Sequence, residues 1–327
     1  MTLRTADTLM ECWTGRHDPE ANSLRWHQKI QPVQPDSPPG IALLGFPCDA
    51  GVQRNQGRRG AALGPQALRQ QLGNLPWLQT APLYECGDIL CEQDNLEQAQ
   101  ADLADHLAQL LNQGHLPILL GGGHEIAFGS WSGLAKHLGA SPDKPRIGII
   151  NFDAHFDLRD PHCQPTSSGT PFAQIAEVCT YHQWKFQYAC LGVSRMSNTP
   201  ALFARAKTLG AYFEEDLQMT LWHLPELHQR LQDFINQCDH LYLTIDLDVF
   251  PAAQAPGVSA PAARGVSLEV IEPLLIQIRD SGKLRLMDLA ELNPGLDIDA
   301  HTARLGARLI HQMTLNPAAN ESSITEQ

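Results

Sequence analysis

No segment of this 327-residue chain approaches the roughly 18 consecutive apolar residues that cross a bilayer as a helix, so no membrane span is expected. The opening residues, MTLRTADTLMEC, also lack the apolar centre of a secretory signal, and a cytoplasmic location is the expectation. Basic residues are scarce. Lys and Arg number 23 against 36 Asp and Glu, the formal net charge is -13, and no Lys/Arg block offsets it locally. That balance opposes nonspecific binding to nucleic acid or to an anionic membrane, leaving a small molecule as the expected partner. The eight cysteines contain no C-x-x-C pair and scatter from Cys12 to Cys238 in a chain too large to need disulfide staples. They read as reduced residues, with Cys48 and Cys163 near the loops considered below. No Pro- or Gly-rich spacer and no internal repeat interrupts residues 40–315, where apolar runs alternate with amphipathic stretches. One domain is therefore expected, and 43% hydrophobic residues suffice for a sizeable core.

What is present is a series of strand-like runs: IALLGF, LPILLGG, RIGIINFDAH, FQYACLGV, HLYLTIDLDVF and LRLMDLAEL. Most are continuously apolar, which suits a parallel sheet covered on both faces. Helical stretches separate them. Residues 94–113 carry Leu96, Leu103, Leu107, Leu110 and Leu111 on one stripe, with Asp94 and Glu97 spaced as a capping box and Gly114 as the stop. Thr199 and Pro200 fit N-cap and first-turn positions of another helix, and Ser267 and Gly282 bracket a third. The alternation predicts an α/β fold with a doubly wound, mainly parallel sheet and helices on both faces.

In open sheets of this kind ligands bind beyond the carboxyl ends of the strands. Here those ends carry acids and histidine. LPILLGGGHE closes on His124 and Glu125; IINFDAHFD places Asp153, His155 and Asp157 at alternate positions; LYLTIDLDVF ends in Asp246 and Asp248; and LRLMDLAELNP ends in Asp288 and Glu291. If the extended conformation continues, a period of two points Asp153, His155 and Asp157 to one face. Crowding carboxylates without a cation is costly through desolvation and repulsion. Taken singly, each motif has an ordinary reading: a hydrated turn for D-x-H-x-D, a strand-to-helix turn for GGGHE, a cap for Asp288 and Glu291. Their conjunction is stronger. Two histidines and four aspartates exceed the needs of one tetrahedral zinc, and no cysteine stands among them. They suit two hard or borderline divalent ions, with manganese favoured and Zn, Co and Ni open. Two such ions about 3.5–4 Å apart can lower the pKa of a shared water to near neutrality, and hydrolysis is the natural chemistry.

Across almost its whole length the chain resembles the ureohydrolase family, which contains arginases, agmatinases and formimidoylglutamases. The resemblance is carried by GRRGAALGPQALR, GGGHE, NFDAHFDLR, SSGTPF, LTIDLDVF, APGVSAPAARGVS and DLAELNP. It implies a single-domain, three-layer arginase-like fold over residues 39–316, with residues 1–38 packed on it as an extension, 317–327 as a flexible tail, and a homo-oligomeric assembly. It also implies two Mn2+ ions per chain, one held by His124, Asp153 and Asp157 and the other by Asp153, His155, Asp246 and Asp248, with shared aspartates bridging. Glu291 is implied to face the substrate amidinium. DAHFDLR, SSGTPF, SRMSNT and WTGRHDPE…RWHQ bring the chain closest to members that cleave N-formimidoyl-L-glutamate to L-glutamate and formamide in histidine degradation.

One departure stands out. Arginases and agmatinases carry a proton-shuttling histidine where this chain has Ser168 before Gly169-Thr170-Pro171-Phe172. The implied mechanism is then attack of a metal-held hydroxide, hydrogen-bonded to Asp157, on the amidine carbon, with Asp157 or a metal-linked water supplying the leaving-group proton. A substrate with two carboxylates calls for cationic donors, and Arg159 suits bidentate binding unless it pairs with Asp160 or a helix terminus. Arg195 and Asn198 form a second candidate cluster, with a helix cap as the other reading of Asn198. Arg54, Arg58 and Arg59 suit subunit or surface contacts, and His162 and His182 read as surface or core residues. The rival functions are another ureohydrolase specificity, such as guanidino-acid hydrolase, agmatinase or arginase, and a non-catalytic metal-binding regulator.

Overall fold

A computed structural model describes residues 3–139 and 144–315; the expected tail at 317–327 lies outside the described residues. Among the described residues ten strands form one sheet: β1 (Leu3–Arg4), β2 (Gln31–Pro32), β3 (Ile41–Phe46), β4 (Leu83–Ile89), β5 (Leu116–Gly121), β6 (Ile147–Phe152), β7 (Gln187–Val193), β8 (Tyr212–Glu215), β9 (His240–Asp246) and β10 (Leu284–Ala290). Their order is β1-β4-β3-β5-β10-β9-β6-β7-β8, with β2 also on β4. Every pairing is parallel except that of β1 with β4.

The period of two along each strand divides the interior into two apolar layers. Leu43, Ile118, Leu120, Ile150, Leu243, Ile245 and Leu289 belong to one, while Ala42, Leu44, Leu119, Ile149, Tyr242 and Leu286 belong to the other. Helices Gly64–Gly73, Leu224–Asn236, Leu268–Asp280 and His301–Thr314 cover the first face, and Leu96–Asn112, Ile126–Leu138, Pro171–His182 and Pro200–Thr208 cover the second. The doubly wound α/β expectation holds. Among the described residues no helix is long and apolar enough to cross a membrane.

Local punctuation differs from the sequence reading in two places. The helix Leu96–Asn112 is capped by Asn95, whose side chain accepts from the Gln98 N–H, and not by Asp94. Asp94 sits at φ +56°, and Glu97 is drawn to Arg54 and Thr166 instead of reaching back to close a capping box. The other difference is β4, whose sequence LYECGDI breaks the apolar pattern with two acids. Both are buried because Arg69, itself 1% exposed, meets Glu85 and Asp88 at 2.8 Å each. The N-terminal segment joins this network through the Trp13 indole, which donates to Glu85 at 2.8 Å, and Trp13 and Trp26 are buried in the first apolar layer.

Candidate metal centre

The four strands whose ends carry the chemistry lie side by side at the centre of the sheet in the order β5-β10-β9-β6. Beyond β5 the glycines make room for the turn into His124. A Cβ on Gly122 would lie 1.8 Å from the Cys48 carbonyl oxygen, an approach only glycine permits. His124 is then fixed from both ends, its backbone N–H donating to Glu291 Oε1 at 2.9 Å and its Nε2 lying 2.9 Å from Thr244 Oγ1. Nδ1 faces three carboxylates: Asp157 at 2.8 Å, Asp153 at 3.1 Å and Asp246 at 3.3 Å.

The two D-x-H and D-x-D segments use one device. Strand β6 stops at Phe152, so Asp153, His155 and Asp157 do not share a face by strand alternation as expected. Asp153 instead accepts from the His155 N–H at 2.7 Å, and Asp246 accepts from the Asp248 N–H at 2.8 Å. These turns, in which an aspartate caps the amide two residues on, curl each segment so that alternate side chains converge. His155 Nδ1 reaches Asp248 at 3.0 Å and Asp153 at 3.5 Å. Asp157 and Glu291 sit at φ +46° and +69°, a conformation sparsely populated by non-glycine residues and often stored at sites of function.

Two groups of donor atoms result, His124 with Asp153, Asp157 and Asp246, and His155 with Asp153 and Asp248. All six sequence-derived ligands are brought together, and the first group includes Asp246, which the sequence reading had assigned to the second ion. The chemistry of the set fits two divalent cations. His124 Nδ1 is buried without a hydrogen bond among its three facing carboxylates, and four aspartates carry the charge that two divalent ions would cancel. The electrostatics of the residues alone run the same way. Burial opposes a charged imidazole, yet Asp153, Asp157 and Asp246 hold the pKa of His124 well above the ordinary histidine range, and Asp248 and Asp153 do so for His155. Burial and the Asp153 charge push Asp157 up to about 6, and burial and Glu125 push Glu291 up to about 8.

A cavity of about 310 Å³ opens onto this cluster, with Glu291, Arg159, Ser168 and Asn198 in its lining. Arg159 is exposed at the cavity and forms no side-chain hydrogen bond or ion pair among the described residues; Asp160 pairs with Arg205 at 2.8 Å instead. Ser168 Oγ accepts from Asn55 Nδ2 at 3.2 Å. Asn198 spends its side chain on backbone, donating to Ala154 O and Ser194 O and accepting from the Phe156 N–H, so it braces the D-x-H-x-D loop while Thr199 occupies the helix N-cap. Arg195 is not brought to this cavity. It lies outside, 72% exposed in its side chain and paired with Glu215 at 2.5 Å.

Arg54 and Arg59 are engaged within the chain by Glu97, Asp49 and Asp94. Arg58 lines the cavity while donating to the carbonyls of Val258 and Ser259. His162 pairs with Glu177 and His182 packs on Trp184, both away from the cavity. Sequence reasoning missed Asn55, Ser197 and Ser259 as lining residues. The signal available for Asn55 was its place in the polar loop RNQGRRG following the first long apolar run.

Comparison with known proteins agrees with this geometry. Formimidoylglutamase of Aeromonas hydrophila subsp. hydrophila is 57% identical over 308 residues, covering 93% of this chain and 97% of its own. That of Aeromonas salmonicida is 55% identical over 309 residues with the same coverage. A crystal structure of Trypanosoma cruzi formiminoglutamase with Mn2+ aligns with a TM-score of 0.75 at 25% identity, over 85% of this chain and 93% of that one. Residues 39–315 match the Arginase family, and with relatives this similar along nearly their whole length the chain belongs to that family.

Proposed function

We propose that the chain hydrolyses N-formimidoyl-L-glutamate to L-glutamate and formamide, in the cytoplasm, as a step of histidine degradation, using two Mn2+ ions and working as a homo-oligomer. The observation that carries this reading is one cavity lined both by an acid, Glu291, beside the ligand cluster and by an exposed guanidinium, Arg159, that has no side-chain partner among the described residues. A substrate with an amidinium at one end and carboxylates at the other matches that polarity. The names of the similar relatives support the same choice.

His124, Asp153, Asp157, His155, Asp246 and Asp248 hold the ions, which when bound supply Lewis acidity and a water of near-neutral pKa. Glu291, steadied by the His124 N–H, pairs with the amidinium and orients its carbon toward the cluster. Asp157, a carboxylate within the cluster that also lines the cavity, is placed to exchange a proton with a reacting water. It takes the proton of the attacking water and returns it to the departing glutamate nitrogen, a task no histidine of the Ser168 loop is present to perform. Arg159 binds a substrate carboxylate. Steady-state kinetics of the Mn2+-loaded protein on formimidoylglutamate, arginine, agmatine and guanidinobutyrate test the reading: formimidoylglutamate should turn over fastest, and faster turnover of agmatine rejects it.

A further inference from the structure

N-Formimidoyl-L-glutamate carries two carboxylates, and Arg159 accounts for one of them. The cavity lining contains two guanidiniums and no lysine, and the second guanidinium belongs to Arg58. The other arginines of the loop RNQGRRG spend their charge inside the chain, Arg54 on Glu97 and Arg59 on Asp49 and Asp94. Arg58 has no acid partner among the described residues. Its Nε donates to Ser259 O at 2.9 Å, and its Nη2 donates to Val258 O at 2.9 Å and Ser259 O at 2.7 Å. No bond to Nη1 is found among the described residues.

Carbonyl oxygens take up the hydrogens of a guanidinium without cancelling its charge, which stays available to an anion in the cavity. The backbone beneath it is also held. The Arg58 N–H donates to Ser259 Oγ at 2.8 Å, and Asn293 Nδ2 donates to the Arg59 and Arg58 carbonyls at 3.0 and 3.3 Å. Asn293 follows Glu291 by two residues, so the segment that carries the acid for the amidinium also braces the loop that carries Arg58. A cation restrained in this way loses little freedom when a carboxylate arrives.

We propose that Arg58 is a specificity-determining residue that binds the second carboxylate of the substrate, so that Arg58 and Arg159 grip one carboxylate each. A strut that only ties its loop to Val258 and Ser259 would need hydrogen-bond donors but no charge, and that difference supplies the test. The proposal rests on the reading of the cavity as that of a formimidoylglutamate hydrolase, and one set of kinetics keeps the two apart.

The substrates are N-formimidoylglutamate, N-formimidoyl-4-aminobutyrate, which lacks the α-carboxylate, N-formimidoyl-2-aminobutyrate, which lacks the side-chain carboxylate, and agmatine, all with Mn2+-loaded protein. Wild type that turns over agmatine faster than formimidoylglutamate rejects the underlying reading. With that reading intact, Arg58→Gln, which keeps an amide donor and removes the charge, should lose roughly tenfold in kcat/KM on formimidoylglutamate, through KM with kcat nearly unchanged. Arg58→Lys should recover part of the loss. The loss in Arg58→Gln should vanish on one monocarboxylate analogue, and that in Arg159→Ala on the other. An Arg58→Gln variant with no loss, or with an equal loss on all three formimidoyl compounds, overturns the proposal and leaves Arg58 a strut. Losses that vanish on the same analogue in both variants overturn it as well, because the two arginines then share a single carboxylate.

Discussion

Replacing Arg159 by alanine isolates substrate recognition from stability. Its guanidinium is exposed and bonds to no described residue, so the free protein loses only its packing against Gly169 and the melting temperature should stay near that of wild type. The effect should fall on the substrate. A charge-assisted hydrogen bond to a carboxylate contributes about 1.5–3 kcal/mol, and an exposed position, wet and screened, takes the lower end of that range. About 1.5 kcal/mol is roughly a tenfold loss in kcat/KM. The carboxylate contact is unchanged between bound substrate and transition state, so the loss should lie in KM, with kcat nearly intact. Arg159→Lys should recover part of it, because the charge returns without the bidentate fork. The assay is steady-state kinetics on formimidoylglutamate at low and high salt, the difference between wild type and variant shrinking as salt rises. An unchanged kcat/KM refutes the assignment. So does an equal loss on agmatine, which has no carboxylate to bind.

Exhaustive chelation should abolish activity and Mn2+ should restore it, while Asp246→Ala, measured with metal added back, should bind less metal and turn over at least about a hundredfold more slowly. Full activity after chelation rejects metal-dependent hydrolysis. Ser168→Ala should change kcat only moderately, since on the proposed mechanism that hydroxyl, which contacts Asn55, relays no essential proton, whereas Asp157→Asn should be far more damaging. Equally severe losses in the two would assign proton transfer to the serine. Arg69→Met should cost about 3–5 kcal/mol of stability in denaturant unfolding, because it strands Glu85 and Asp88 uncompensated in the interior. A variant as stable as wild type would show that the buried acids find protons or water at little cost.

The long apolar runs were legible because strands buried on both faces need them, and β3, β5, β6, β7, β9 and β10 all fall within the stretches so read. Strand β4 was not, since its acids are acceptable only when Arg69 arrives from the helix Gly64–Gly73, a pairing no local pattern reveals. The cap of Leu96–Asn112 slipped by one residue for a related reason. Arg54, Arg59 and Thr166, from other parts of the chain, compete for Asp94 and Glu97. Ligand residue types were readable from their motifs, while Arg195 shows the limit of such reading: its loop neighbour Asn198 turns inward and Arg195 turns out to Glu215.

By itself the sequence determined the class of fold, the donor types and their places at strand ends, because burial periodicity and the two-residue spacing of acids are local properties. It also determined that the loop at Ser168 carries no shuttle histidine. The tertiary structure decided which ends meet. Strands that come fifth, sixth, ninth and tenth in the chain lie in the order β5-β10-β9-β6, so motifs up to about 170 residues apart in sequence share one cavity floor. It decided as well that Asp246 joins the His124 group, that Asn198 braces backbone, and that Asp288 turns inward to Tyr242. Each of those outcomes depends on which neighbour fills the remaining hydrogen-bonding or charge requirement of a buried group, and that neighbour is supplied by a different strand.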